Sequence, residues 1–265
     1  MNSLAHGMIR KLRKGVANPR KAVAIVACKL LRPFSSSKYK KFVVLSRSRT
    51  GSNLLISLLN SHPQVVAGGE YFRRLHGLDH NEVLRKAFSG EPFPIKAKGF
   101  KIFYYHPVDE PSSGVWDKLR AMADLSVIHL KRKNLLRTLV SRKIAGVEDV
   151  WLSMSEHNPR SSAGHVNISF TVDELTDLFR ETRVWEESGH RMFCNHPMLT
   201  IYYEDLVTDR AKVFRQVTQF LGVSYIEPKT ELKKQNNRSL RATIMNYDDL
   251  KLRFSSTEWA LFFEE

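Results

Sequence analysis

Two rhythms of apolar residues run along the chain. Short continuous runs at residues 41–45, 65–70, 99–105, 125–130 and 198–203 have the length and composition of buried strands. Between them, apolar positions repeat every three or four residues, most clearly as Leu54, Leu55, Leu58 and Leu59, which predicts a helix over 51–60 that His62-Pro63 stops. Further helices are expected over 81–89, 115–123, 134–145, 172–187 and 208–221, the last closed by Gly222. A polar segment, 148–169, has little periodicity. Strands that alternate with helices imply a parallel sheet covered on both faces, so the expected fold class is α/β: a three-layer sandwich with a central parallel sheet.

No internal repeat or low-complexity tract divides the chain, and one domain over 41–265 follows a basic arm over 1–40, with Pro33 to Ser37 read as a linker. The chain carries 42 Lys and Arg against 27 Asp and Glu. Eleven of those bases and none of the acids fall before residue 42, leaving 31 bases against 27 acids in the body. An excess held in a leading arm does not fit a folded nucleic-acid reader, so no nucleic-acid partner is expected. The apolar run at 22–28 is far shorter than the ~20 residues of a membrane span, and Lys29 and Arg32 stand where a secretory cleavage site would need small residues. The arm fits peripheral contact with an anionic membrane surface, an organellar transit segment or a solvated tail. Cys28 and Cys194, the two cysteines, suggest no disulfide framework and suit a cytoplasmic setting. His76 and His80 lack a third ligand at matching spacing, so no metal site is expected.

Chemistry concentrates in the turn after the first strand, Ser46-Arg47-Ser48-Arg49-Thr50-Gly51-Ser52-Asn53. Beyond a strand's carboxyl end, at a helix N-terminus, such a loop has the parts of a phosphate cradle: a Gly that lets backbone approach an anion, donating hydroxyls and neutralising arginines. The nucleoside-triphosphate version, G-x-x-x-x-G-K-[ST], fails twice, because Ser46 replaces the first Gly and Ser52 the Lys. A P-loop phosphotransferase is therefore the weaker alternative.

The stretch from Ser48 to Leu55 resembles the 5′-phosphosulfate loop of sulfotransferases that use 3′-phosphoadenosine 5′-phosphosulfate (PAPS). A second match runs from His129 to Ser141; in that family the unit supplies an Arg and a downstream Ser for the donor's 3′-phosphate, which here implies Ser141 with Arg132 or Lys133. Ile201 to Leu206 and Phe220 to Val223 resemble two structural motifs of the superfamily. The tail, with Lys234 and Arg238, is most similar to bacterial nodulation-factor sulfotransferases, and these cations could close over the 3′-phosphate. The resemblance covers residues 42–264 and implies the P-loop-like sulfotransferase fold, PAPS as co-substrate bound by Arg47 to Asn53, no metal requirement, and a hydroxyl acceptor on a saccharide or glycolipid.

Sulfuryl transfer needs an aligned acceptor oxygen, relief of its proton and stabilisation of the leaving phosphate oxygen. Arg49 and the backbone N–H groups of 50–53 are the candidates for the last task, with Lys101 assisting or simply alternating outward from its strand. Glu70, following two glycines at a strand end, is the preferred base, and His106 is the runner-up. The polar segment with Trp151 and His157 is assigned to the acceptor side or to an adenine cap. A protein that uses its arm on membrane or nucleic acid is the reading from another class.

Overall fold

The computed structural model describes residues 35–36, 38–92, 94–148, 167–232 and 238–264. Lys234 and the polar segment with Trp151 and His157 lie outside the described residues. In chain order the elements are β1 (Ser35–Ser36), β2 (Lys40–Ser46), α1 (Ser52–Leu59), β3 (Val65–Gly68), α2 (His80–Ala87), β4 (Glu91–Pro92), β5 (Ala97–Phe103), α3 (Val115–Arg120), β6 (Leu125–Lys131), α4 (Leu135–Glu148), α5 (Val172–Met192), β7 (Met198–Tyr202), α6 (Tyr203–Thr208), α7 (Arg210–Leu221) and α8 (Tyr247–Phe254), before a 3₁₀ turn at Ala260–Phe263.

Five strands form one sheet in the order β3-β5-β2-β6-β7, and every pairing in it is parallel. The expected α/β class with a central parallel sheet is thus observed. Strand β2 is central, with Val44 opposite Lys101 of β5 on one side and Ile128 of β6 on the other. Its side chains serve both layers, as a continuous apolar run must. Phe42 and Val44 pack with Leu55, Leu58 and Leu59 of α1 and Val213, Phe214 and Val217 of α7. Val43 and Leu45 join Val115 and Leu119 of α3 and Phe193 beyond α5. A separate aromatic cluster binds α4 and α5 to the C-terminal tail through Phe179, Phe254, Trp259 and Phe262.

After β2 the chain moves outward to β3, returns to β5, and then crosses to β6 and β7 on the opposite side. The carboxyl end of β2 is therefore the topological switch point, where such sheets open a crevice for ligands. Because β3 is parallel to β5 and β5 to β2, Glu70, two residues past β3, emerges at that same end.

Two local expectations are corrected, and the tail, for which no element was expected, gains one. Ser35 and Ser36, read as linker, pair antiparallel with Pro92 and Glu91. Tyr203 opens α6 instead of ending a strand, since Glu204 and Asp205 favour a helix first turn through its positive dipole end. The tail folds into α8 and the 3₁₀ turn, whose buried aromatics seal α4 and α5.

Candidate active site

A cleft of about 460 Å³ opens over the carboxyl end of the sheet. Among the described residues seven arginines and Lys101 line it, against one acidic side chain, Glu70. Such a concentration of cations is stable only if an anion or solvent screens it.

The loop between β2 and α1 runs between Arg132 and Ser141 at one end and Lys101 at the other. Gly51 has φ 89°, the left-handed region, and a Cβ there would lie 2.2 Å from Cδ2 of Tyr203. Both facts demand glycine. No side chain caps α1, so its first N–H groups face the cleft from the positive end of the helix. Arg49 turns with φ 65°, and its Nε donates to Ser141 Oγ on α4 at 3.0 Å. Arg132 donates from Nη1 to the carbonyl of Arg49 at 3.1 Å and lies over the Tyr203 ring at 4.7 Å. Glu204 stands 3.6 Å from Arg132 Nε and accepts from the backbone N–H of Lys133 and Asn134 at 2.9 and 3.3 Å. Burial, then the neighbouring Arg132, lowers the pKa of Arg49; burial likewise lowers that of Arg132. Two neighbouring guanidiniums, with Arg132 acting against the charge of Arg49, stand beside a hydroxyl in an arrangement suited to a phosphate-sized anion.

At the other end, Lys101 on β5 is buried, with Nζ 2.9 Å from Glu70 Oε1 and 2.5 Å from Asn53 Oδ1. The lysine therefore ties the loop after β3 to the first turn of α1. Lys101 does not alternate outward, because both faces of β5 are buried. His106 Nε2 lies 3.8 Å from Glu70 Oε2, and its Nδ1 accepts from the backbone N–H of Phe103 at 3.3 Å. Burial pulls its pKa to about 4, against a smaller opposing effect of Glu70. The neutral ring thus uses its lone pair at Nδ1 and carries its hydrogen on Nε2. In this arrangement it is a donor facing Glu70, with no lone pair for an acceptor hydroxyl.

Ser48, Arg49, Gly51, Ser52, Asn53, Glu70, Lys101, His106, Arg132, Ser141 and Arg238 all line the cleft. Arg238 does so while donating from Nη2 to Ala242 O at 2.5 Å. Arg47, Thr50 and Lys133 are not among the lining residues. Arg47 is buried beneath the loop, where Nη1 donates to Thr182 Oγ1 of α5 and the guanidinium lies over the Trp185 ring at 5.2 Å. Thr50 is buried, and Lys133 points outward to pair with Asp205 at 2.5 Å. Of the two cations left open by the sequence, Arg132 is the one that reaches the cleft. Sequence reasoning missed Tyr105, Tyr203 and the lining arginines Arg73, Arg137, Arg142 and Arg210. The four-residue spacing of Arg137 and Ser141, one helical turn apart, was a usable signal for one of them.

Among the described residues, no group of three or more His, Cys, Asp or Glu is placed to hold a metal ion, and no helix is long and apolar enough to cross a membrane. Fold and cleft together define an α/β protein with a cation-lined cleft at the switch point of its parallel sheet. The sequence is distantly homologous to nodulation protein H of Rhizobium tropici, 29% identical over 247 residues that cover 84% of this chain and 92% of that protein. This bears out the likeness to the bacterial nodulation group read from the tail. No family model matches the chain. Similar solved structures include a sulfotransferase from Alicyclobacillus acidocaldarius, 16% identical with TM-score 0.47 over 81% of this chain and 90% of that one. A mouse sulfotransferase, SULT7A1, complexed with PAP is 17% identical with TM-score 0.42 over 74% of this chain and 64% of that one.

Proposed function

We propose that the protein is a sulfotransferase that moves the sulfuryl group of PAPS to a hydroxyl of a saccharide or glycolipid. The observation that carries this reading is the division of the cleft into two ends. Arg49, Arg132 and Ser141 form an anion receptor at one, and a Lys101–Glu70 pair stands beside the open N-terminus of α1 at the other. A donor with two separate anionic groups, a 3′-phosphate and a 5′-phosphosulfate, matches that division. Homology to nodulation protein H supports it, and Ser52 in place of the Walker lysine disfavours a nucleoside triphosphate.

PAPS supplies a sulfuryl group whose sulfur bonds to the acceptor oxygen as its bond to the 5′-phosphate oxygen breaks. In this chain Arg132 and Ser141 hold the 3′-phosphate together with Arg49, which its contact with Ser141 draws away from the leaving 5′-phosphate oxygen expected from the sequence, and Arg238 closes over it. Backbone N–H groups at the start of α1 and the Lys101 ammonium offset charge on the departing phosphate oxygen. Glu70 accepts the acceptor's hydroxyl proton, and the contacts of its two oxygens with Lys101 and His106 fix its direction. Asn53 holds Lys101 in place from the same helix turn.

Calorimetric titration with adenosine 3′,5′-bisphosphate (PAP) in the absence of magnesium tests the donor assignment, with ATP plus magnesium as comparison. Binding of the bisphosphate in preference to ATP is the expected result. Preference for magnesium-ATP would replace this reading with a phosphotransferase.

A further inference from the structure

The wall of the cleft beside Glu70 is aromatic. Phe103 ends β5, Tyr105 and His106 follow it, and all three line the cleft. Tyr105 is half-buried and is held by three rings: Phe103 at 5.9 Å between centroids, His106 edge-on at 5.4 Å, and Trp185 of α5 at 5.3 Å. Trp185 in turn packs on Tyr104 at 6.3 Å and carries the Arg47 guanidinium over its ring at 5.2 Å. The Tyr105 ring is thus braced from α5 by a stack that runs back to buried Arg47. On its other flank His106 Nε2 is 3.8 Å from Glu70 Oε2, so a fixed aromatic surface stands one residue away from the carboxylate read as the base.

A rigid aromatic ring among polar groups selects its ligand. Hydrocarbon calls for a continuous apolar lining, whereas beside Tyr105 stand His106 and, past it, Glu70, with the Lys101 ammonium 5.6 Å from the centre of the Phe103 ring. A pyranose has an apolar C–H face and a rim of hydroxyls, so it meets both surroundings at once. We propose that Tyr105 is the plate on which the acceptor lies: the C–H face of a pyranose unit packs on its ring, and a hydroxyl of that unit comes to Glu70. The inference rests on the sulfotransferase reading and deepens it, because it assigns this half of the cleft to a sugar ring and not to a lipid chain. It asks for no charge on the acceptor, and the cations of the cleft keep the partners they have. Contact with Tyr105 fixes the plane of the sugar and Glu70 selects the hydroxyl within that plane, which is the alignment that in-line transfer needs.

The test is calorimetry on the full chain saturated with PAP. Chitotetraose, whose equatorial substituents leave flat C–H faces and whose neutrality keeps ion pairing out of the measurement, is titrated into the wild type, Tyr105→Phe and Tyr105→Ala. The wild type should bind it, and Tyr105→Phe, which keeps the ring, should bind it within about twofold of the wild type. Tyr105→Ala should bind it at least tenfold more weakly. PAP affinity should stay within about threefold in both variants, which also reports that they are folded. No binding of chitotetraose to the wild type at millimolar concentration, an alanine variant that binds it as well as the wild type, or a phenylalanine variant as weak as the alanine one would each overturn the proposal. So would a Tyr105-dependent preference for octyl glucoside over chitotetraose, which would give the plate to an alkyl chain. Failure of PAP itself to bind would strike the donor reading instead, so the two failures are distinguishable.

Discussion

Arg47 and Arg49 stand two residues apart on one loop and meet opposite environments. Arg49 lines the cleft and donates to Ser141, whereas Arg47 lies under the sheet's end with Thr182 and Trp185 of α5. In a regular strand two such residues would share a face. The positive φ of Arg49 breaks that alternation as the chain turns into α1. The two arginines also differ energetically. Burial brings Arg47 down to about 10, its Nε and Nη2 have no hydrogen-bond partner, and Glu181 is 3.9 Å away. A buried cation so incompletely met adds little stability of its own. Charge on this loop is therefore not equivalent to function, and position relative to the turn decides which arginine can meet a ligand.

The largest expected effect lies on the cleft side but away from the loop. Glu70→Gln should lower kcat for sulfuryl transfer by roughly 10²–10⁴, the range of a general base, with PAP affinity within about threefold. Persistent activity in Glu70→Gln together with its loss in His106→Ala would move the base to His106. Next comes the contrast between the arginines themselves. Arg49→Ala should weaken PAP about a hundredfold, because a charge-assisted contact to phosphate is lost while melting changes little. Arg47→Met should keep PAP affinity within about threefold and leave the melting temperature unchanged or higher, since a neutral side chain of similar length removes a desolvated charge. A large loss of PAP affinity in Arg47→Met would erase the distinction between the two sides of the loop.

The sheet was legible because fully buried parallel strands are written as uninterrupted apolar runs, as in β2 and β6, and the loop after β2 because hydroxyls, arginine and Gly51 gather between two apolar elements. Side-chain direction at the ends of elements was not legible. Arg47 against Arg49 and Arg132 against Lys133 both turn on a single backbone bend that composition does not encode. Tyr203 escaped notice for another reason. It completes the cradle from the far end of the sheet, and its packing against Gly51 joins residues 152 positions apart through strand order alone. Tail helix α8 was missed because its aromatic partners come from α5 and the 3₁₀ turn, so its own eight residues carry little of the pattern.

The α5 side has its own titration, of smaller size. His129 is buried, with Nε2 2.8 Å from Tyr104 Oη, and burial first, then Lys131, pulls its pKa to about 3. Folded His129 stays neutral while the unfolded chain takes up a proton below about pH 6.5. The unfolded state then binds more protons, so stability present above about pH 6.5 is lost as pH falls toward 3. His106 acts in the same direction, over the window from 6.5 to about 4. Urea unfolding of His129→Gln should lose about 1–2 kcal/mol less stability between pH 7 and 4.5 than the wild type. Identical losses in the two proteins would mean that the buried imidazole does not govern the acid limb.

The smallest effect is expected where β6 gives way to α4, a second pair of adjacent cations with opposite directions. Arg132 is largely covered, stacks on Tyr203 and braces Arg49, while Lys133 is 54% exposed and pairs with the half-exposed Asp205. Water competes with the Lys133 pair and screens its field, so Lys133→Ala should change PAP affinity by less than about twofold. Arg132→Ala should weaken PAP at least tenfold, because it removes a guanidinium at the phosphate receptor and the hydrogen bond that holds the Arg49 carbonyl. If the two alanine variants bind PAP equally poorly, Lys133 must swing into the cleft when ligand enters. Side-chain direction at the end of an element would then not decide which cation serves the donor, at this turn and at the loop after β2 alike.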